Sequence, residues 1–312
     1  GLADLNKKII RSVGEANKRF LEDGLRLMRA LRFASTYGFD IEKKTAEAIF
    51  NQKALLQNIA WERIQVELDK LLCGRGVKTV LKQFTPVLSV VIPEIEPMIG
   101  FKQPNPHHHL DVWEHTIESV SQVPPQKVLR LTMLLHDSGK PQSFTLDPDG
   151  IGHFYGHGKK SMVIAKEVLN RLRYDKATIR NVRDLILYHD AELIPQRRYI
   201  KRWLKRIGEK AFRQLLEVKK ADTEAQNPKY IRKKLEKVKE LESILEEVIR
   251  EQQCFFLKDL AINGNDLIGI GITQGIKIGD VLDKLLEMVI GEKIENEKEE
   301  LLKMAKVLSD AN

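Results

Sequence analysis

The 312-residue chain is long enough for two or three domains that each bury a core. It is 42% hydrophobic and 31% charged, with no apolar run near the ~20 residues that a membrane span needs and no secretory start. Its two cysteines, Cys73 and Cys254, lie far apart without CxxC spacing, which excludes a disulfide framework and a zinc knuckle. We therefore expect a soluble cytoplasmic protein without a membrane partner.

The spacing of hydrophobic residues predicts an all-α fold without a sheet. Apolar positions recur every three or four residues through most of the chain, whereas alternating patterns are short and few. Glycines and prolines cluster around residues 86–106, 147–152 and 263–279, and the first and last clusters suggest joints between domains. The predicted domains are residues 1–100, 101–225 and 226–312.

Positive charge is concentrated in the middle of the chain. The net charge is +8, and residues 159–213 hold 16 Lys or Arg against 6 Asp or Glu. Such a surface attracts phosphates and releases counterions, which favours nucleic acid as a partner. Solvated helix faces explain the same pattern equally well.

Near the start of the chain, an acid and a guanidinium are three positions apart. If Asp23 and Arg26 share a helix, they lie side by side as one acceptor and one planar donor. Cytosine and adenine both present an amine beside an unprotonated ring nitrogen, so this pair would accept CTP and ATP and reject UTP and GTP. Spacing alone favours a different interpretation, an ordinary salt-bridged helix surface with Glu22 and Arg29.

The stretch that holds this pair, DLNKKIIRSVGEANKRFLEDGLRLMRALRFA at residues 4–34, resembles the neck of class II nucleotidyltransferases, the bacterial CCA-adding enzymes and poly(A) polymerases. The matching residues are Asp4, Ile10, Arg11, Val13, Gly14, Arg19, Phe20, Glu22, Asp23, Leu25, Arg26, Arg29, Ala30, Arg32, Phe33 and Ala34.

A second tract, WERIQVEL at residues 61–68, matches the E-R-I-x-x-E-L segment of the same family. The resemblance reverses the preference and implies a nucleotide site formed by Glu22, Asp23, Arg26, Arg29 and Arg32. By this resemblance, Asp23 and Arg26 recognise the base, and Arg29 and Arg32 face the triphosphate or the RNA backbone.

All eight histidines fall between residues 107 and 189. The apolar run Val128–Leu135 predicts a buried helix that delivers His136 and Asp137 to the interior, and the following Gly139 helps to stop the helix. Residues 107–109 are predicted loop histidines that border the same site.

Two further helices carry inward stripes that end in polar residues. His189 continues the stripe of Ile179, Val182 and Ile186, and Asp222 lies one turn beyond Val218. A buried carboxylate needs a cation partner, and nitrogen and oxygen ligands without sulfur suit Mn, Fe, Ni, Co, Zn or Mg. The predicted metal ligands are His115, His136, Asp137, His157, His189 and Asp222.

The order of these ligands, H, HD, H, H, D, resembles the HD-domain phosphohydrolase superfamily. That resemblance implies one or two divalent ions that polarise a phosphate and generate a hydroxide, with Asp137 and Lys140 as catalytic residues. The alternative is a vestigial HD domain whose histidines only pack and hydrogen-bond.

The last part of the chain combines a long amphipathic helix with a glycine-rich tract. Residues 231–249 carry apolar positions at helical spacing among Lys and Glu. Residues 259–301 resemble the tail of bacterial CCA-adding enzymes with an HD domain, in which glycine turns contact RNA or serve structure alone.

The three resemblances follow the order neck, HD domain and tail of that family. Family members begin with a head domain that performs nucleotidyl transfer with Mg, and these residues contain no matching DxD pair before the neck. We therefore expect the C-terminal portion of a tRNA nucleotidyltransferase that selects CTP or ATP, binds tRNA and needs a head in cis or in trans. The alternatives are a stand-alone HD phosphohydrolase and an RNA-binding module with an inactive HD fold.

Overall fold

The structure, a computed structural model, describes residues 1–251, 255–273 and 275–310, so Cys254 lies outside the described residues. The predicted fold class is confirmed, because α-helices dominate the described chain. In order they are α1 (Leu2–Asn6), α2 (Ala16–Glu22), α3 (Leu25–Tyr37), α4 (Lys43–Gln52), α5 (Trp61–Leu72), α6 (Val77–Gln83), α7 (Thr85–Val91), α8 (Val112–Gln122), α9 (Lys127–Leu135), α10 (Lys140–Ser143), α11 (His157–Arg171), α12 (Lys176–Tyr188), α13 (Arg197–Glu224), α14 (Arg232–Arg250), α15 (Gly264–Gly269), α16 (Gly275–Ile290) and α17 (Lys298–Asp310).

The expectation of no sheet is wrong at two short places. Strands β1 (Ile9–Ile10) and β2 (Asp40–Ile41) pair in parallel, and β3 (Thr145–Leu146) and β4 (Gly152–His153) pair antiparallel. Strands of two residues are too short to carry an alternating pattern, so hydrophobic spacing cannot predict them. The second pair encloses the predicted 147–152 turn, where Gly150 adopts a φ of 79°.

The chain divides into two compact units. Unit 1 comprises residues 1–191 and 217–235, and unit 2 comprises residues 192–216 and 236–312. The predicted joint near residue 100 lies inside unit 1. The three-part division by function therefore stays a prediction.

Unit 1 is built on helices whose apolar faces meet. On α3, Leu27, Met28 and Leu31 are fully buried, and this face packs against α5. Helices α8, α9, α11 and α12 form a second layer in which α9 contacts each of the others. Each buried leucine or methionine stabilises the unit by about 1.5–3 kcal/mol relative to an exposed side chain.

Unit 2 contains the predicted amphipathic helix and the glycine-rich tract. Val238, Leu241, Leu245 and Val248 of α14 are buried, as their spacing predicts. Residues 197–216 of α13 also belong to this unit, and the helix breaks at Gly208, whose φ of 78° an L side chain rarely adopts. Helices α15, α16 and α17 share a core centred on residues such as Leu267, Leu285 and Leu301.

The predicted glycine turns are present in part. Gly271 adopts a φ of 96° after α15, as a tight turn requires, whereas Gly275 and Gly279 lie inside α16. Among the described residues, no helix combines the length and the apolar character that crossing a membrane requires.

Candidate metal centre and nucleotide site

Five helices of unit 1 deliver the six predicted metal ligands to one place. His115 lies on α8 and Asp222 on the end of α13, while His157 begins α11. His136 and Asp137 directly follow α9, and His189 directly follows α12. The ligand atoms form two overlapping groups that share Asp137, and within each group all atoms lie within 4.8 Å of one another.

The burial of these side chains is nearly complete. His115 and His136 are 0% exposed, and Asp137 is 1% exposed. Only the Asp222 side chain retains appreciable exposure, at 21%. Charged groups at such positions are costly unless other charges compensate them.

The four imidazoles are oriented in the same way. In each ring Nδ1 lies within hydrogen-bond distance of a backbone carbonyl, so that the Nδ1–H tautomer leaves Nε2 as an acceptor. The carbonyl partners are Ala225 for His115 at 3.3 Å, Met133 for His136 at 2.7 Å, Phe154 for His157 at 2.8 Å and Ile186 for His189 at 2.6 Å. Histidines that bind metals are held by outer hydrogen bonds of this kind.

As a result, acceptor atoms face one another across the cluster. Nε2 of His157 and Nε2 of His189 are 3.0 Å apart, and Nε2 of His115 is 2.8 Å from Asp222 Oδ1. Nε2 of His136 lies 3.3 Å from Asp137 Oδ2 and makes no hydrogen bond of acceptable geometry within the described residues. Two acceptors at such distances repel unless a proton or a cation lies between them.

The short distances between these groups shift the pKa values of the cluster residues. Burial alone would raise the pKa of the Asp137 carboxyl, but His136 and Lys140 outweigh it and hold that pKa well below its usual value. Burial opposes a proton on His136, yet Asp137 and Asp222 raise the pKa of that imidazole to about 10. A positive charge near the centre of the cluster is therefore favourable.

Lys140 contacts the cluster directly. Its ammonium is 2.7 Å from Asp137 Oδ2 and donates a hydrogen bond to Gln103 Oε1 at 2.7 Å. The side chain is buried and lines a pocket of about 270 Å³ that also reaches His157, His189 and Asp222. A small phosphate ester that entered this pocket would meet the ligands and Lys140 together.

Three residues around the cluster were not singled out individually in the sequence. His108 lines the pocket with its ring 5.3 Å from that of His115, and burial together with Lys140 lowers the pKa of His108 to about 3. Gln226 donates a hydrogen bond to Asp222 Oδ2, and Lys219 donates one to the His189 carbonyl. The loop prediction for residues 107–109 was the only signal for any of them.

The predicted base-reading pair needs a correction. Asp23 does not share a helix with Arg26, because α2 ends at Glu22 and Asp23 is extended, with a φ of −153° and a ψ of 103°. Its carboxylate accepts from the backbone N–H of Leu25, which begins α3, and from Arg63 at 3.2 Å. The bond from the Leu25 N–H is an Asx-type turn just before the N-cap Gly24, and local side-chain bonds of this kind compete with a continuous helix.

The remaining residues of the predicted nucleotide site are already paired. Arg26 donates to Glu22 at 2.6 Å, and the Nε atoms of Arg29 and Arg32 lie 3.5 and 2.5 Å from the buried Glu67 carboxylate on α5. The exposed side chains here are those of Glu22, Arg26 and Arg29.

A pocket of about 390 Å³ opens beside these arginines. Its lining includes Arg11, Arg19, Arg26 and Arg29 on the polar side, and aromatic rings such as Phe33 on the other. Neither Asp23 nor Arg32 contributes to it. Cations beside aromatic rings suit a nucleoside phosphate.

Comparisons with known proteins agree with this architecture. Residues 159–305 match the family model described as tRNA nucleotidyltransferase domain 2, putative, and residues 38–98 match one described as a probable RNA and SrmB-binding site of polymerase A. The A-adding tRNA nucleotidyltransferase of Deinococcus radiodurans is 31% identical over 305 residues, which cover 92% of this chain and 68% of that protein. The CC-adding tRNA nucleotidyltransferase of Thermus thermophilus is 33% identical over 216 residues, 65% of this chain and 49% of that protein.

Solved structures show the same helical fold. The Bacillus stearothermophilus CCA-adding enzyme in complex with CTP aligns with a TM-score of 0.68 at 22% identity, over 99% of this chain and 67% of that one. The Thermotoga maritima enzyme complexed with tRNA aligns with a TM-score of 0.58 at 18% identity, over 100% and 66%. These likenesses show that the helical fold is shared.

The chain belongs to the CCA-adding tRNA nucleotidyltransferase family.

Proposed function

We propose that this chain is the nucleotide-selecting and tRNA-binding part of a tRNA nucleotidyltransferase, and that its histidine cluster is a divalent-metal centre of HD type with phosphohydrolase activity. The main support for a metal centre is that hydrogen-bond acceptor atoms face one another at short distances, above all Nε2 of His157 and Nε2 of His189, which are 3.0 Å apart. A cation between such atoms turns a repulsion into coordination.

The donor set fits a divalent ion such as Mn, Ni, Fe, Co, Zn or Mg. It offers four imidazole nitrogens and two carboxylates without sulfur, each imidazole being oriented by a carbonyl on its far side. A bound divalent ion would polarise a phosphate ester and lower the pKa of a water molecule.

The residues around the ligands have separate tasks in this proposal. Asp137 bridges the two ligand groups, because it belongs to both. Lys140 holds the Asp137 carboxylate at 2.7 Å and neutralises charge on a phosphate that enters the pocket. Gln226 keeps Asp222 turned toward His115 through its hydrogen bond to the second carboxylate oxygen.

The nucleotide role rests on the neck region and on the relatives. Relatives of this chain are described as A-adding, CC-adding and CCA-adding enzymes, and related structures hold CTP, ATP or tRNA. We assign selection of CTP and ATP to Asp23 and Arg26, with Glu22, Arg29 and Arg32 beside them. For this role Asp23 must exchange its bond to Arg63 for one to the base.

Nucleotidyl transfer itself requires more than these residues in this proposal. The chain spans 68% of the Deinococcus relative and about half of the Thermus relative. We assign the transfer step, with its Mg, to a head domain that acts in cis or in trans.

Metal analysis and hydrolysis of a generic phosphodiester test the centre. After incubation with Mn²⁺ or Ni²⁺, the purified chain should retain metal and hydrolyse the ester, and Asp137→Ala should lose both. Asp149→Ala, which removes an exposed carboxylate from the β3–β4 turn, is the matched control. Metal that stays bound in Asp137→Ala, or the absence of bound metal in the parent chain, contradicts the proposal. Bound metal with no hydrolysis would favour the vestigial HD domain instead.

A further inference from the structure

Unit 2 carries a groove that neither the metal centre nor the neck uses. The Trp203 groove, about 560 Å³ in volume, lies along the first half of α13 and reaches one residue of α16. Its lining is Tyr199, Arg202, Trp203, Lys205, Arg206 and Glu287.

We propose that the Trp203 groove binds an unpaired segment of RNA, with a nucleobase stacked on an aromatic ring and the backbone phosphates on the arginines. The inference deepens the proposed tRNA role by naming a further RNA contact, and it rests on that role.

The groove places aromatic and cationic side chains in two parallel rows. Arg202 and Arg206 are four residues apart, so they lie on one face at a step of about 6 Å, and Arg198, outside the lining, continues the row. Tyr199 and Trp203 form the neighbouring row at the same spacing. Interleaved rings and cations are the arrangement that binds single strands without sequence preference.

The arginines already lie over the rings. The guanidinium carbon of Arg202 is 5.7 Å from the centroid of Tyr199, and that of Arg206 is 5.5 Å from the centroid of Trp203. Arg202 and Arg206 are exposed, while both rings are half-buried. A base that stacks on these ring faces would displace the guanidinium groups, which would then lie within reach of its phosphates.

The Trp203 ring has a firm support. It stacks against Phe212 with centroids 6.3 Å apart and planes inclined by 22°, and Phe212 is fully buried. A ring fixed in this way needs little ordering when a base stacks on it, which favours binding.

The positive charge of the groove, together with its aromatic rings, favours an unpaired RNA strand over a peptide or an RNA duplex. Three cations line it against the single carboxylate of Glu287, which pairs with Lys205 at 2.9 Å. An acidic peptide would use the cations alone, and duplex RNA would offer phosphates without exposed base faces. An unpaired strand uses both the cations and the rings.

Replacement of Glu287 tests the proposal, because it should change the affinity for RNA in a known direction. Its carboxylate lies 3.9 Å from Arg202 Nε as well as beside Lys205, so it opposes any phosphate that approaches them. Glu287→Gln should strengthen binding of a short single-stranded oligoadenylate about threefold at low salt. Glu240→Gln, the same change at an exposed position outside the groove lining, should have no effect. Equal strengthening in both variants would reduce the effect to net charge and overturn the proposal.

Tryptophan fluorescence reports directly on stacking. Titration of the full chain with oligoadenylate should quench emission in the parent and in Trp61→Phe, and the quenching should disappear in Trp203→Phe. Arg202→Gln should weaken binding about tenfold, while Arg250→Gln, which removes an exposed arginine at the end of α14, serves as its matched control. Duplex RNA at the same phosphate concentration should quench much less.

Binding of tRNA, followed by anisotropy on the same samples, separates two failures. If tRNA binds while Trp203→Phe quenches as the parent does, or if Arg250→Gln weakens binding as much as Arg202→Gln, the groove proposal is overturned alone. If neither tRNA nor oligoadenylate binds, the proposed RNA role of the chain fails with it.

Discussion

Gly139, two residues after Asp137, offers the sharpest test of how the proposed metal centre is built. Its φ of −86° and ψ of −6° suit any L residue, so replacement by alanine adds no backbone strain. An added Cβ, however, would lie 2.6 Å from the Ser161 backbone N and 2.7 Å from the His157 carbonyl oxygen. The whole cost of Gly139→Ala is therefore steric and falls on the first turns of α11.

The size of the clash sets the expected effect. Ordinary Cβ contacts begin at 3.4 Å, so backbone atoms of α11 must move by several tenths of an ångström. Overpacking of this kind typically costs about 1–3 kcal/mol. The same movement shifts His157, whose Nε2 lies 3.4 Å from Asp137 Oδ1, and a disturbed ligand shell weakens metal binding roughly 10–100-fold.

Two measurements check this reasoning. Urea unfolding should report the loss of stability, and competition with a fluorescent chelator should report the weaker binding of Mn²⁺. Gly279→Ala is the control, since Gly279 lies within α16 and a Cβ added there would meet nothing within 4 Å, and alanine at this position should stabilise by about 0.5–1 kcal/mol. Unchanged stability and metal affinity in Gly139→Ala would refute the argument from close packing.

Three further predictions concern unit 1 and RNA binding. Tyr174→Phe removes a 2.5 Å hydrogen bond to Asp69 and should cost about 1–3 kcal/mol in urea unfolding. Burial and Asp69 raise the pKa of the Tyr174 hydroxyl, so this hydroxyl loses its proton at a lower pH in the unfolded chain than in the folded chain. The free energy of unfolding of the parent should therefore decrease as the pH rises above about 10, and Tyr174→Phe should lack the contribution of this group to the decrease. Glu94→Gln breaks the paired bonds to Arg171 at 2.6 and 2.7 Å and should cost about 1 kcal/mol, with a double-mutant cycle showing coupling. If six or more phosphates are contacted, tRNA affinity should fall about 10³-fold between 50 and 200 mM salt, and a flat response would contradict a basic contact surface.

The predicted base-reading pair, Asp23 and Arg26, shows what hydrophobic spacing fails to reveal. Apolar positions continue from α2 into α3, so the pattern predicts one helix through Asp23. The local chemistry carries the missing information, because an Asp that accepts from the backbone N–H two residues ahead forms an Asx turn, and such turns compete with helix. Gly24 itself has an ordinary helical φ of −59°, and its lack of a side chain matters for packing, because an added Cβ would lie 3.0 Å from the Leu55 Cβ.

The positions of the proposed metal ligands were more predictable, because the apolar stripe of each helix faces the interior in a single direction. The α9 stripe leads to His136 and the α12 stripe leads to His189, and both imidazoles are buried where those stripes predict. His108 was expected only as one of three loop histidines bordering the site, because a loop has no such period to show which of them lines the pocket. Burial of a loop histidine depends on contacts that are distant in sequence.

The cluster divides into a locally determined part and a part that depends on the tertiary fold. His136, His157 and His189 each direct Nδ1 to the carbonyl three residues earlier, at or beside a helix end, so local backbone geometry alone fixes which nitrogen faces inward. His115 instead relies on the Ala225 carbonyl, 110 residues away, which directly follows α13. The other part of the site depends on packing at the end of α13, because Asp222 lies there and the carbonyl that orients His115 belongs to the residue that follows the helix.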